Sequence, residues 1–293
     1  MKRRDFVRNT FVVGAGAMIS PSLLANNSEK NQVKLTILHT NDTHSNIDPF
    51  PANHAKFPNQ GGVVWRNELI QKIRQEEKNV LLIDAGDLFQ GTPYFNKYKG
   101  VLEMKLMSEM GYEASTMGNH EFDIGLEGFK NAKKYANFPF ICSNYDFSNT
   151  ILKDETVKHL IIKKGGIKIG IFGLGVELEG LVPKVCYDET KYLDPIIVAN
   201  EQAAILKNKG CHFVICLSHL GYEYKDSNKV SDLVLAKSTK NINVIIGGHT
   251  HTFLEQPVEE NNLEGKKVVI NQVGWAGLNL GRMDFYFSKE NLQ

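Results

Sequence analysis

The sequence predicts an α/β sandwich built as one domain. Three observations carry this expectation. Short apolar, β-branched runs alternate with segments of helical period. Five of those runs end in Asp, His or Asn, usually beside glycine. The composition, 42% hydrophobic and 23% charged over 293 residues, suits a globular chain that buries a sizeable core.

The chain opens with MKRRDFVRNTFVVGAGAMISPSLLANNS, residues 1–28. Paired Arg3 and Arg4, then Phe6, precede a short apolar stretch from Phe11 to Ile19 that is too brief to span a bilayer. This reads as an export signal of the twin-arginine type, which implies a periplasmic protein with no membrane attachment once the signal is removed. The folded domain is expected over residues 33–288.

Within it, KLTILHTNDTH supplies the first strand, and Gln60, Gly61 and Gly62 lead into a helix that runs to Glu77. NVLLIDAGD is the second strand. Val101 to Met110 forms a helix stopped by Gly111, with Met104, Met107 and Met110 at helical spacing as core filling. EASTMGNHE gives a third strand and Leu126 to Tyr135 the next helix. Gly165 and Gly166 in KKGGIKIGIFGLG mark a hairpin. Asp194 as N-cap and Pro195 at the first helical position open a fourth helix, before the strands HFVICLSHLG and NVIIGGHTH.

Several function classes are excluded. Lys and Arg total 34 against 33 Asp and Glu, so no basic footprint exists for holding nucleic acid. Cys142, Cys186, Cys211 and Cys216 form no CxxC pair, and Cys211 and Cys216 read as small strand residues. No GxSxG nucleophile elbow occurs.

The polar strand ends carry the chemistry. In α/β sheets ligands gather outside the carboxyl ends of the strands, so clusters spread from Asp42 to His251 are expected to converge. Asp42 and His44 lie one residue apart, as do His249 and His251, while Asp87, Asn119 and His219 end three other strands. Carboxylate, imidazole and amide oxygen without thiolate suit Mn, Zn, Fe or Co and select none of them. Seven ligands exceed one tetrahedral ion. Two divalent ions ~3.5–4 Å apart, sharing a carboxylate, would use them all.

Neighbouring polar residues have blander readings. His39 is either a support for a ligand or a satisfied core histidine, and Asp84 is a structural acceptor. His54, His159 and His212 are expected at the surface, Phe89, Gln90 and Gly91 at the rim, and Lys163, Lys164 and Lys168 on a solvated hairpin.

The blocks ILHTNDTHSNI, DAGDLFQGTPYF, MGNHEFDIG, SHLG and GGHTH, in this order, resemble the motifs of the calcineurin-like metallophosphoesterases. Longer versions of the first and third resemble the two signatures of bacterial 5'-nucleotidases. The resemblance implies a four-layer α/β/β/α sandwich. It also implies one metal held by Asp42, His44, Asp87 and His251, and a second held by Asp87, Asn119, His219 and His249, with Asp87 bridging. His120 would be the catalytic imidazole, oriented by Asp123, with Glu121 and Phe122 fixing the loop. The implied reaction is hydrolysis of nucleotides or related small phosphomonoesters by a hydroxide shared between the ions.

Two departures from the family limit the inference. Full-length bacterial 5'-nucleotidases carry a second domain for specificity, whereas this chain continues only about forty residues past His251. A separate chain carrying that domain is one expectation, and broad specificity is the other. Some members have glutamine where His251 stands, so the metal preference is expected to differ. Cyclic-nucleotide phosphodiesterase, nucleotide-sugar pyrophosphatase and thiosulfohydrolase activities of the same superfamily stay open, as does a metal-containing subunit inactive without its partner.

Overall fold

The computed structural model describes residues 11–14, 31–226 and 229–292. In chain order the first half comprises β1 (Phe11–Gly14), β2 (Gln32–Thr40), α1 (Val63–Glu76), β3 (Val80–Asp84), α2 (Pro93–Tyr98), α3 (Val101–Met110), β4 (Ala114–Ser115), α4 (Gly125–Lys133) and β5 (Tyr145–Asp146). There follow β6 (His159–Lys164), β7 (Ile167–Leu174), α5 (Lys184–Tyr187), β8 (Lys191–Tyr192), α6 (Pro195–Asn208) and β9 (Phe213–Ser218). The last elements are α7 (Asp232–Ser238), β10 (Val244–Gly247), β11 (Val258–Asn261), β12 (Lys267–Asn271) and β13 (Gly281–Ser288).

Two sheets result, ordered β1-β13-β2-β3-β4 and β11-β12-β10-β9-β7-β6, with β5 and β8 forming a small pair. β2, β3 and β4 run parallel, as do β7, β9, β10 and β12. Their carboxyl ends therefore open on one side of each sheet.

Alternation along the strands sets the layers. Leu35 and Ile37 of β2 and Leu81 and Ile83 of β3 point inward, where they meet Ile169, Ile171, Ile215, Leu217, Val244 and Ile246 of the second sheet. The intervening residues, Leu38 and Leu82, turn outward onto Ile70, Met104, Met107, Met110 and Phe129 of the helices. On the opposite face Val214, Cys216 and Ile245 pack on Val198, Ala203 and Leu235 of α6 and α7. Strands buried on both faces explain why the runs read as continuously apolar. The four layers expected from the sequence are thus present.

The helix ends agree closely with expectation. α3 stops at Gly111, and Asp194 caps α6 by accepting the backbone N–H groups of Ile196 and Ile197 at 2.8 and 2.9 Å. α4 ends two residues before Tyr135. The third strand shrinks to Ala114–Ser115, beyond which Ser115 forms a single bridge with Phe140.

Other expectations need correction. Phe89, expected at the rim, is fully buried against Phe95 and Phe129. Lys164 on the hairpin pairs with Glu113 at 2.7 Å. His159 and His212 are half-buried and bonded, to Gln202 Oε1 at 2.8 Å and to the Lys168 N–H at 2.9 Å.

The export-signal segment lies outside the described residues except for β1, which pairs in parallel with β13. Among the described residues no helix is long and apolar enough to cross a membrane, and all four cysteines are free thiols.

Candidate metal centre

The polar ends of β2, β3, β4, β9 and β10 meet at one place. Ligand atoms of Asp42, His44 and His251 lie within 4.8 Å of one another, as do those of Asp87, His219 and His249. A third group, His44, Asp87 and His120, joins the two. Asn119 completes the gathering: its Oδ1 is 2.9 Å from His249 Nδ1. All nine residues singled out from the sequence, Asp123 included, are therefore close neighbours.

The backbone bends sharply to achieve this. Asp42, His44, Asp87, His249 and His251 adopt left-handed φ angles of 49°, 47°, 56°, 73° and 53°. Such conformations are uncommon outside glycine and cost of order 1 kcal/mol or more each, so the surroundings must hold them. Asn41 is one clamp: its amide donates to Asp42 Oδ2 and to the Gly274 carbonyl, both at 2.6 Å, and its oxygen accepts the Val273 N–H. Both oxygens of Asp42 accept the backbone N–H of His249 at 3.0 Å.

Glu121 is a second clamp. Its fully buried carboxylate accepts four backbone N–H groups, from Leu88 (2.7 Å), Phe89 (3.3 Å), Asp87 (3.0 Å) and Gly118 (2.6 Å). The loops bearing Asp87 and Asn119 are thereby tied together. Burial and the Asp87 charge hold the Glu121 pKa up at about 7 against the pull of those donors. Gly118 permits the closest approach, since a Cβ there would fall 2.2 Å from Asp87 Oδ1 and 2.6 Å from His219 Nε2.

The histidine tautomers follow from their outer partners. Nδ1 of His44 faces the Phe89 carbonyl at 3.0 Å and Nδ1 of His219 the Ala85 carbonyl at 2.7 Å. A carbonyl only accepts, so each Nδ1 carries a proton and each Nε2 faces the interior of the cluster. His219 Nε2 is buried, makes no hydrogen bond, and lies 3.0 Å from Asp87 Oδ2. His44 Nε2 lies 2.9 Å from His251 Nε2. Nitrogen and oxygen atoms converging at such distances, with no thiolate among them, suit a divalent cation.

Electrostatics agree. Burial opposes charge on His219, yet the carboxylates of Asp87 and Asp42 push its pKa up to about 10, and the same histidines pull Asp87 well below the usual carboxylate range despite burial. Burial lowers His249 to about 4. The two carboxylates thus favour positive charge at His219, while burial disfavours it at His249.

His120 stands beside this cluster, its ring 5.2 Å from that of His44. Its Nδ1 meets Asp123 Oδ2 at 2.7 Å, and the Gln90 amide donates to the same oxygen at 3.2 Å. Gln90, expected at the rim, thus supports Asp123, a contact between distant segments that the sequence does not signal. Asn41 was not singled out, although the run HTNDTH offered it as a polar residue at a strand end.

His39 resolves as a core residue. It is fully buried, with Nε2 3.0 Å from Asn271 Nδ2, and burial lowers its pKa to about 3. Asp84 is the structural acceptor expected, taking Thr40 Oγ1, Ser115 Oγ and the Gly86 N–H.

Comparison with known proteins agrees with this fold. Residues 35–253 fit the calcineurin-like phosphoesterase family model. The chain is 32% identical over 274 residues to snake venom 5'-nucleotidase of Crotalus adamanteus, covering 87% of this chain and 45% of that protein. Human 5'-nucleotidase is 30% identical over 308 residues, covering 96% and 50%. The crystal structure of a 5'-nucleotidase precursor from Thermus thermophilus superposes with a TM-score of 0.76 at 31% identity, over 88% of this chain and 55% of that one. Haemophilus influenzae NAD nucleotidase gives 0.75 at 29%, over 89% and 48%. The chain spans about half the length of these relatives. By its fold, its motifs and its matches, the chain belongs to the calcineurin-like phosphoesterase family, with homology to the 5'-nucleotidases.

Proposed function

We propose that this chain is a two-metal phosphohydrolase of the 5'-nucleotidase type, acting on nucleotides or related phosphomonoesters. The observation that carries the reading is the convergence of two carboxylates and inward-facing imidazole nitrogens beside a separate His120–Asp123 pair. Asp42, His44, Asp87 and His251 would hold one divalent ion, and Asp87, Asn119, His219 and His249 the other. Ions bound there supply Lewis acidity and neutralise charge on a transferring phosphoryl group.

The chain's own groups do the rest. The amide clamps of Asn41 and Glu121 fix Asp42 and Asp87 before substrate arrives. Asp123 accepts from His120 Nδ1, which sets the ring plane and leaves Nε2 as the atom that gives a hydrogen bond to the ester oxygen as it leaves. Gln90 holds the Asp123 carboxylate in that position. The Arg3, Arg4 and Phe6 pattern supports export by the twin-arginine route to the periplasm, with the domain spanning residues 33–288.

His120→Ala is the test. Loss of a positioned proton donor lowers turnover by about 10²–10⁴-fold, and manganese content measured by elemental analysis stays that of the parent. Loss of metal in that variant, or unchanged turnover, refutes the assigned role.

A further inference from the structure

We propose that a wall of aromatic rings beside the metal centre is the platform for the nucleobase, so that this domain recognises the nucleoside by itself. The proposal rests on the nucleotidase reading above and adds to it the part of the substrate remote from phosphorus.

The wall begins at the centre. Trp275 lies flat on the imidazole of His251, with ring centres 5.8 Å apart and planes at 9°. Phe50 meets Trp275 edge-on at 5.9 Å, Phe57 lies 5.8 Å from Phe50, and Phe253 stacks on Phe57 at 6.4 Å and 26°. His54 fills the inner side, 4.6 Å from Phe50 and 5.8 Å from Phe57, which corrects its expected place as an isolated surface residue. The rings come from three separate loops.

The same surface stays open to solvent. Phe253 is 44% exposed and the His251 side chain 39%, while Phe50, Phe57 and Trp275 are half-buried. Loops that needed only to pack would turn these rings inward. Instead they are held in place: the Ala276 N–H donates to the Asp42 carbonyl at 2.7 Å, and the Phe57 N–H to His54 Nδ1 at 3.0 Å. Phe253 lies over Gly274, where a Cβ would come within 2.2 Å of its ring. A rigid aromatic face loses little conformational entropy when a ligand stacks on it.

Its chemistry selects the ligand. Planar heteroaromatic rings stack on such faces whatever their hydrogen-bonding edge. In a nucleoside 5'-monophosphate one ribose separates the phosphate from a planar base. With the phosphate at Asp42 and His251, the base has the wall as its neighbour.

The test compares 5'-AMP with ribose 5-phosphate, which has the same ester and lacks the base. Phe57→Leu and Phe253→Leu keep apolar bulk and remove the ring face, and neither residue touches the candidate ligands. For the parent chain kcat/KM is expected to favour 5'-AMP. Each variant is expected to lose about 5-fold or more on 5'-AMP and to keep the parent rate on ribose 5-phosphate. A parent that hydrolyses both equally, variants that lose both together, or variants that keep the full preference would overturn the platform while leaving the phosphohydrolase intact. A parent that hydrolyses neither would refute the proposed function itself.

Discussion

His39 makes the acid stability of this protein calculable. Its ring is fully buried, Nδ1 has no hydrogen-bond partner, and Gly281 packs so closely that a Cβ there would fall 2.1 Å from Nε2. The site has no room to hydrate a charge, so the folded-state pKa sits near 3 against 6.5 for a free histidine. Between those values the unfolded chain binds a proton that the folded chain does not, and stability therefore falls as pH falls. Because the unfolded ring is only half protonated at pH 6.5, the drop from there to pH 5 removes about 1.6 kcal/mol. Buried Asp84 and Asp232, whose pKa values burial raises to about 7 and about 8, act in the opposite sense, gaining stability as pH falls from 8. Comparing the parent with His39→Gln cancels them. Urea unfolding of both proteins at pH 6.5 and pH 5 is expected to show the parent losing about 1.6 kcal/mol more than the variant. Equal losses would mean that the ring takes up its proton inside the fold, and would refute the burial argument.

Two further substitutions probe the clamps. Glu121→Ala leaves four buried amide donors without their acceptor and is expected to cost about 4 kcal/mol or more, read as a fall in melting temperature; a shift of under about 2 °C would contradict it. Gly118→Ala drives a methyl into Asp87 and His219, and is expected to weaken manganese binding by about 10–100-fold with the far-ultraviolet circular dichroism unchanged. Calorimetric titration measures it, and parental affinity would show that the two loops separate freely.

Much of this architecture was legible in the sequence because it is locally encoded. Apolar runs followed by Asp, His or Asn gave the strands and their functional ends, and Gly111 and the Asp194–Pro195 pair gave helix limits to the residue. Other features depend on contacts between distant segments. Glu121 was expected to fix its own loop, but which amides it holds depends on the fold, which brings the N–H groups of residues 87–89 over it. The left-handed turns at Asp42, His44, Asp87, His249 and His251 leave no mark in composition, since glycine is the usual sign of such a backbone. Phe89, two residues past Asp87, looked like a rim residue, yet its ring packs under the helices against Phe95 and Phe129. The aromatic wall joins residues 50–57 to Phe253 and Trp275, which sequence spacing does not relate.

The two sheets contribute unequally to the centre: Asp42, His44, Asp87 and Asn119 follow strands of the first, and His219, His249 and His251 follow strands of the second. Between the sheets lies a seam of aliphatic side chains, whose cohesion resists separation and is nearly indifferent to sliding. A cation held by residues of both sheets would act as a rivet through that seam. Shear of one sheet along the other would then change its coordination, and the mechanical alignment of the sandwich would be tied to the reactivity of its mouth.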